Sequence, residues 1–344
     1  VRAFVVSEVD DQFSMGVHDV AAASSDDGDL LIAVDFSGIN FKDAMVAAPK
    51  SRVRRVASLT GGVDAAGTVV ASTIPHLPVG TRVAAHGGPL GVARDGGFAQ
   101  FLYAPERYVS RLPDAISTHD AMVIGTAGFT AMESILALED HGLNAGGEVL
   151  VTGATGGVGS HAITYLAARG YRVVASTGSA NETKWLQNQG ATRVIGRDDV
   201  SDQPTRVLGT EMWDGAVDCV GGSTLAEILR SLRYGAAVAA SGLVANAELA
   251  TTVYPFITRS VSLLGIDSVL ASSATRDRVW SALGETITSV NLGPLVDREV
   301  PLEGLPGALE DVRSGKTRGR ILVQPNPGIA KYSSAHSGML SKRD

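Results

Sequence analysis

The sequence predicts an α/β protein, with a β-rich, barrel-like N-terminal unit followed by a doubly wound parallel sheet. Three observations predict it. Before residue 120 the chain consists of short β-branched runs broken by glycine and proline. After residue 120 strand and helix patterns alternate. Residues 148–160 read EVLVTGATGGVGS, an apolar strand that enters a glycine-rich turn and leaves as a helix.

The elements follow in order. RAFVV, LLIAVDFSGIN, AAGTVVAS and TRVAAHG are the strands of the first unit. Helical periodicity begins in TAMESILALEDHG. Strand EVLVTG, helix GSHAITYLAARG, strand YRVVAST and helix NETKWLQNQG come next. Strand ATRVIG, the run WDGAVDCVGG, helix STLAEILRSLR and strand AAVAASG complete the alternation, and such repeats imply right-handed crossovers. After SVSLLGID an amphipathic helix is expected around Ala274 to Ile287. A last strand, GRILVQ, is expected to rejoin the first unit. The expected domains are therefore 1–119 with 266–324, and 120–265. The segment 325–344, rich in proline, glycine, serine and charge, is expected to be a flexible tail.

Composition bounds the function. The 344 residues, 44% hydrophobic and 19% charged, suit two globular domains. A net charge of -7 argues against nucleic acid as the main partner. One cysteine excludes a disulfide framework and a cysteine-rich zinc site, and is compatible with a reducing cytoplasm. No leader is expected in VRAFVVSEVDD, nor any stretch with the ~20 apolar residues that span a bilayer.

The turn formed by Gly153, Thr155, Gly156, Gly157 and Val158 is expected to bind a dinucleotide. Gly153 permits the tight reversal, Gly156 lets the backbone approach a pyrophosphate, and Gly159 lets the helix pack close to the strand. The phosphates then meet the positive end of the helix. A structural loop in another α/β protein is the alternative. NAD-binding versions end the second strand with an acid on the ribose hydroxyl, but YRVVAST is followed by Gly178, Ser179, Ala180 and Asn181. Ser176, Ser179, Lys184 and Arg197 offer hydroxyls and positive charge instead, which favours NADPH.

The β-rich start, the GATGGVGS turn and the C-terminal return resemble the medium-chain dehydrogenase/reductase superfamily. GINFKDAM, AMVIGTAGFTAMESILALEDHG and YPFITRSVSLLGIDSV are similar to its zinc-free quinone oxidoreductase branch, and most of all to the acrylyl-CoA reductase group of YhdH/AcuI type. The resemblance covers about residues 1–324. It implies a GroES-like β-barrel domain joined to a Rossmann domain, with the active site in the cleft between them, and a homodimer. It also implies that Thr126, Thr130, Val220, Gly221, Gly242, Gly265, Asp267 and Arg320 border the cofactor. TGGVDAAG and ARDGG depart from the group's usual PGIDFAG-like run and from its tryptophan before paired glycines.

Catalytic zinc in alcohol-dehydrogenase relatives needs two thiolates and a histidine, and only Cys219 is present. A conjugated substrate then suits the chain better than a simple alcohol. Addition of hydride at the β-carbon moves charge to the carbonyl oxygen, where hydrogen-bond donors lower the barrier. Asn40, Lys42 and Asp43 are the candidate catalytic residues. Asn40 and Lys42 share a face if extended, and Asp43 is expected to orient Lys42. The alternative is a strand end with an N-capped helix, in which Lys42 and Asp43 are solvated. Tyr103 is the next candidate, and His86 the histidine to watch. Arg52, Arg54 and Arg55 form a basic cluster suited to the phosphates of a CoA ester, or a solvated patch. The expected function is NADPH-dependent reduction of an enoyl thioester such as acrylyl-CoA. A quinone or enone reductase, and a non-catalytic NADPH- or RNA-binding protein, are the alternatives.

Overall fold

The computed structural model describes residues 1–21, 29–200 and 206–326, so residues 327–344 of the expected tail at 325–344 lie outside the described residues. The chain forms two compact units, Val1–Thr126 with the segment beginning at Val296, and Ala127–Leu295.

The first unit opens with β1 (Arg2–Val9), β2 (Gln12–Asp19), β3 (Asp29–Ile39) and the short helix α1 (Phe41–Val46). It continues through β4 (Ser58–Thr60), β5 (Asp64–Ala71), β6 (Arg82–His86), β7 (Phe101–Pro105) and β8 (Val109–Arg111). Helix α2 (Thr118–Asp140) follows.

In the second unit come β9 (Glu148–Thr152), α3 (Gly157–Ala168), β10 (Arg172–Ser176), α4 (Thr183–Asn188) and β11 (Ala191–Ile195). After them stand β12 (Trp213–Asp218), α5 (Gly222–Ser231), β13 (Leu232–Ala240), α6 (Tyr254–Arg259), β14 (Ser262–Gly265) and α7 (Ser273–Thr286). The chain returns to the first unit with β15 (Val296–Pro301), α8 (Leu305–Arg313) and β16 (Arg320–Gln324).

β3 is the spine of the first unit. Its length lets it pair with β5, β7 and β16, all antiparallel. Leu30, Ile32 and Val34 alternate inward onto Val69, Val83 and Leu102, the period-two pattern of a strand with one buried face. The second unit carries six parallel strands in the order β11-β10-β9-β12-β13-β14. β9 and β12 are neighbours although β10 and β11 run off the other way, so the order reverses between them. In such sheets ligands bind beyond the carboxyl ends of the strands at that reversal.

Two expectations change. The division places 120–126 in the first unit and 266–295 in the second. Thr126 bonds to Asp64, while Trp280 of α7 packs on Phe129 and Trp185 Nε1 donates to the Pro294 carbonyl. Helix α2 is also long and apolar enough to cross a bilayer by composition, against the expectation that no stretch is. Its apolar window is 83% buried inside the protein, as befits a core helix.

Candidate active site

Asn40 stands at the point where β3 ends and α1 begins. Asp43 supplies the acid half of a capping box, its Oδ2 accepting from the Asn40 backbone N–H at 2.8 Å. Its Oδ1 accepts from Val63 N–H, also at 2.8 Å. The carboxyl is buried, and burial pushes it up to about 7 against those two bonds. Asp43 is therefore neither solvated nor an orienting partner of Lys42, and the extended geometry expected for Asn40 and Lys42 is replaced by a helical turn.

The Asn40 side chain is used elsewhere. Its Nδ2 donates to Asp64 Oδ2 at 2.8 Å, and its Oδ1 accepts from Arg320 at 2.8 Å. Asp64, fully buried on β5, is the hub of the cluster. It also accepts from Thr126 N (2.9 Å), Thr126 Oγ1 (2.5 Å) and Arg320 (3.2 Å). Arg320 reaches the Ile39 carbonyl as well, at 2.9 Å. Only 2% of Arg320 is exposed, so its guanidinium positions Asn40 and Asp64 instead of facing solvent. Gly125 explains how such a cluster fits beside α2. Its φ of +49° breaks the helix, and a Cβ there would stand 2.4 Å from the Arg320 guanidinium and 2.5 Å from Asp64.

Asp64 was not among the expected site residues. A lone aspartate in the apolar run VDAAGTVV was a signal, since a buried carboxylate must be paired. Lys42 is half-exposed and, among the described residues, makes no ion pair. Tyr103 lies on β7 opposite Leu31, at the far end of β3 from Asn40. A separate cavity of about 680 Å³ opens there among Leu31, Leu59, Phe101 and Tyr103, without touching Asn40, Lys42 or Asp43. His86 is buried at the end of β6, paired in register with Asp64.

The second unit gathers its candidates at the carboxyl ends of β9, β10, β12 and β13. Gly153 adopts φ +60°, and a Cβ on Gly159 would lie 2.4 Å from the Gly153 carbonyl oxygen, so helix and strand require both glycines. A Cβ on Gly156 would meet only that oxygen, at 3.3 Å, which leaves open space over the turn. No acid lies in the first turn of α3 and no side chain caps it. Its leading N–H groups, at Gly157 and Val158, are those a helix cannot satisfy internally. A pyrophosphate fits this turn.

Beside it, Asp218 is buried, and its carboxyl is held above the ordinary carboxylate range by desolvation. It accepts from Thr152 Oγ1 at 2.6 Å and from Gly221 N at 2.8 Å, lacing β12 to β9. Val220 and Gly221 lie on that laced loop, and Gly242 packs against the Cys219 backbone, where a Cβ would be 2.2 Å from the carbonyl oxygen. After β10, Ser176 is buried, Ser179 is half-buried, and the Arg197 guanidinium lies over Gly178, 2.5–2.7 Å from where a Cβ would stand. Lys184 is exposed on α4. Thr130 donates to Ser268 at 2.7 Å, so its hydroxyl hydrogen is committed within the protein, as that of Thr126 is to Asp64. Gly265 and Asp267 are exposed, and Asp267 accepts from Val269 N–H at 3.0 Å.

Comparison with known proteins fits this geometry. Residues 26–114 match the alcohol dehydrogenase GroES-like domain, and 157–284 match the zinc-binding dehydrogenase family. The putative quinone oxidoreductase YhfP of Bacillus subtilis is 44% identical over 91% of this chain and 96% of its own. The chain belongs to the medium-chain dehydrogenase/reductases, in their quinone oxidoreductase and acrylyl-CoA reductase group. Acrylyl-CoA reductase AcuI of Ruegeria pomeroyi is 41% identical over 87% of this chain and 91% of its own. The yhdH oxidoreductase of Salmonella enterica, solved in complex with NADP, superposes with a TM-score of 0.89 at 36% identity, over 94% of this chain and 99% of that one. B. subtilis yhfP, solved with NAD bound, gives 0.91, over 94% of this chain and 98% of that one. One matched family is named for zinc, but the donor set here does not fit that metal. Among the described residues no three His, Cys, Asp or Glu side chains are grouped to hold an ion. The Cys219 thiol is pushed up to about 12 by burial and by Asp218, far from the thiolate that zinc requires.

Proposed function

We propose that this member of the group uses NADPH to reduce an α,β-unsaturated thioester at its β-carbon, with acrylyl-CoA or a close analogue as substrate. The observation that carries the reading is the polar pair at the head of α1. Asn40, oriented by Asp64 and Arg320, keeps one amide N–H beyond the one given to Asp64. Lys42 presents an ammonium with no carboxylate partner among the described residues. The cofactor supplies a hydride when bound. Asn40 and Lys42 then hold the carbonyl oxygen as charge develops on it, which stabilises the transition state more than the ground state. Asp64 and Arg320 fix the Asn40 amide and Asp43 fixes the first turn of α1 that carries Lys42, so little backbone reorganisation accompanies the reaction. Arg197 and the absence of an acid at the end of β10 support NADPH, while the NAD bound to the B. subtilis relative makes NADH the necessary comparison. A two-fold homodimer through the open edge of β14 suits this assembly.

The second reading is a quinone or enone reductase, which the 44% identical relative favours by its name. Oxidation of NADPH by purified protein against acrylyl-CoA, longer enoyl-CoA esters and short quinones separates the two. Faster turnover of acrylyl-CoA than of quinones at equal concentration is the expected result. The reverse order selects the second reading.

A further inference from the structure

The segment that follows α1 is pinned at several points yet leaves two guanidinium groups open. Ser51 Oγ donates to the Met45 carbonyl at 2.7 Å and accepts from Val53 N and Arg54 N at 3.2 and 3.1 Å. Lys50 N–H donates to Glu8, and Arg55 N–H to the Val92 carbonyl at 2.9 Å. Arg54 turns inward. Its guanidinium pairs with Glu8, clasps the Val46 carbonyl at 2.8 Å and lies over the Phe13 ring. Its side chain is 4% exposed, so of the three arginines expected as a basic cluster, one is structural. Arg52 and Arg55 are exposed on either side of it and, among the described residues, have no carboxylate partner. Glu8, the acid that this segment touches, is consumed by Arg54 and Lys50.

We infer that Arg52 and Arg55 form a phosphate-binding site for the nucleotide end of a CoA thioester. The inference rests on the enoyl-thioester reading above. A CoA ester carries its phosphates at the far end of a long pantetheine arm, so their site must be displaced from Asn40 and Lys42 yet held rigidly to them. Arg54 provides that tie, because the carbonyl it clasps belongs to α1, the helix that carries Lys42. Two guanidinium groups on a braced backbone lose less freedom on binding than two on a mobile loop, and they match phosphate oxygens in a bidentate fashion.

The test compares acrylyl-CoA with the acryloyl thioester of N-acetylcysteamine, which lacks phosphates, in wild type and in the double variant Arg52→Gln/Arg55→Gln. The KM for acrylyl-CoA should rise at least about tenfold with kcat within about twofold. Both constants for the small thioester should stay unchanged, which also shows that the variant is folded. The wild-type KM for acrylyl-CoA alone should climb with ionic strength. An unchanged KM for acrylyl-CoA, or an equal rise for both thioesters, overturns the phosphate site and leaves the enoyl-thioester reading standing. If wild type turns over neither thioester while reducing quinones, both fall.

Discussion

Asn40 bonds Asp64 and Arg320 through its side chain while its own N–H is held by Asp43, so its removal and that of Lys42 have different structural costs. Both Asn40→Ala and Lys42→Ala should lower kcat by about two orders of magnitude, with NADPH affinity nearly unchanged. Stopped-flow single turnovers, with cofactor affinity taken from fluorescence titration, check this. Near-full kcat in both variants makes the motif structural. Asp43 carries a pH signature of its own. Its carboxyl titrates near 7 in the fold against 3.8 in the free side chain, so the stability it gives is complete below 3.8 and is lost as pH rises through 7. Asp43→Asn turns an amide NH₂ toward one of two backbone donors and should cost about 1–3 kcal/mol. That deficit should be largest below about pH 4 and shrink as pH rises to 8 in urea titrations. A deficit that grows with pH means that the carboxylate is held ionised. The sequence made Asn40, Lys42 and Asp43 legible as one polar motif. It did not reveal that Asp43 points into the protein, because that depends on Val63, a residue brought near only by the fold.

At the scale of elements, long periodic segments were legible and short ones were not. The alternation after residue 120 reads directly as β9 to β13 with α3, α4 and α5. Helices α6 and α8 escaped, because YPFITR and LPGALEDVR carry a proline that reads as a breaker. In both, the proline occupies the first turn, where its missing N–H costs nothing. The loop after β10 shows what topology adds. Lys184 and Arg197 looked equivalent in the sequence, yet only the Arg197 guanidinium is shown lying against Gly178, at the strand end where a ribose phosphate is expected. Arg197→Ala should therefore raise the KM for NADPH about tenfold and leave that for NADH within about twofold, with Lys184→Ala the weaker change. Equal losses for the two cofactors in Arg197→Ala remove that residue from the 2′-phosphate site.

At the scale of the whole molecule, the six-stranded sheet ends in an edge. β14 pairs with β13 on one side and, among the described strands, with none on the other. This strand begins only at Ser262, because Ser260 takes a left-handed conformation that ends α6. Leu263 on this strand is 38% exposed, and Tyr254 and Ile257 of the preceding helix are also exposed. An open apolar edge of this kind templates aggregation unless it is covered. The proposed two-fold dimer would cover it without additional sequence, since the same strand would serve both partners and the sheet would continue across the axis. Sedimentation velocity at micromolar concentration should give a dimer, and Leu263→Arg should give a monomer, because charge on an edge opposes strand addition. A wild-type monomer under these conditions, or a Leu263→Arg variant that stays dimeric, removes β14 from the interface.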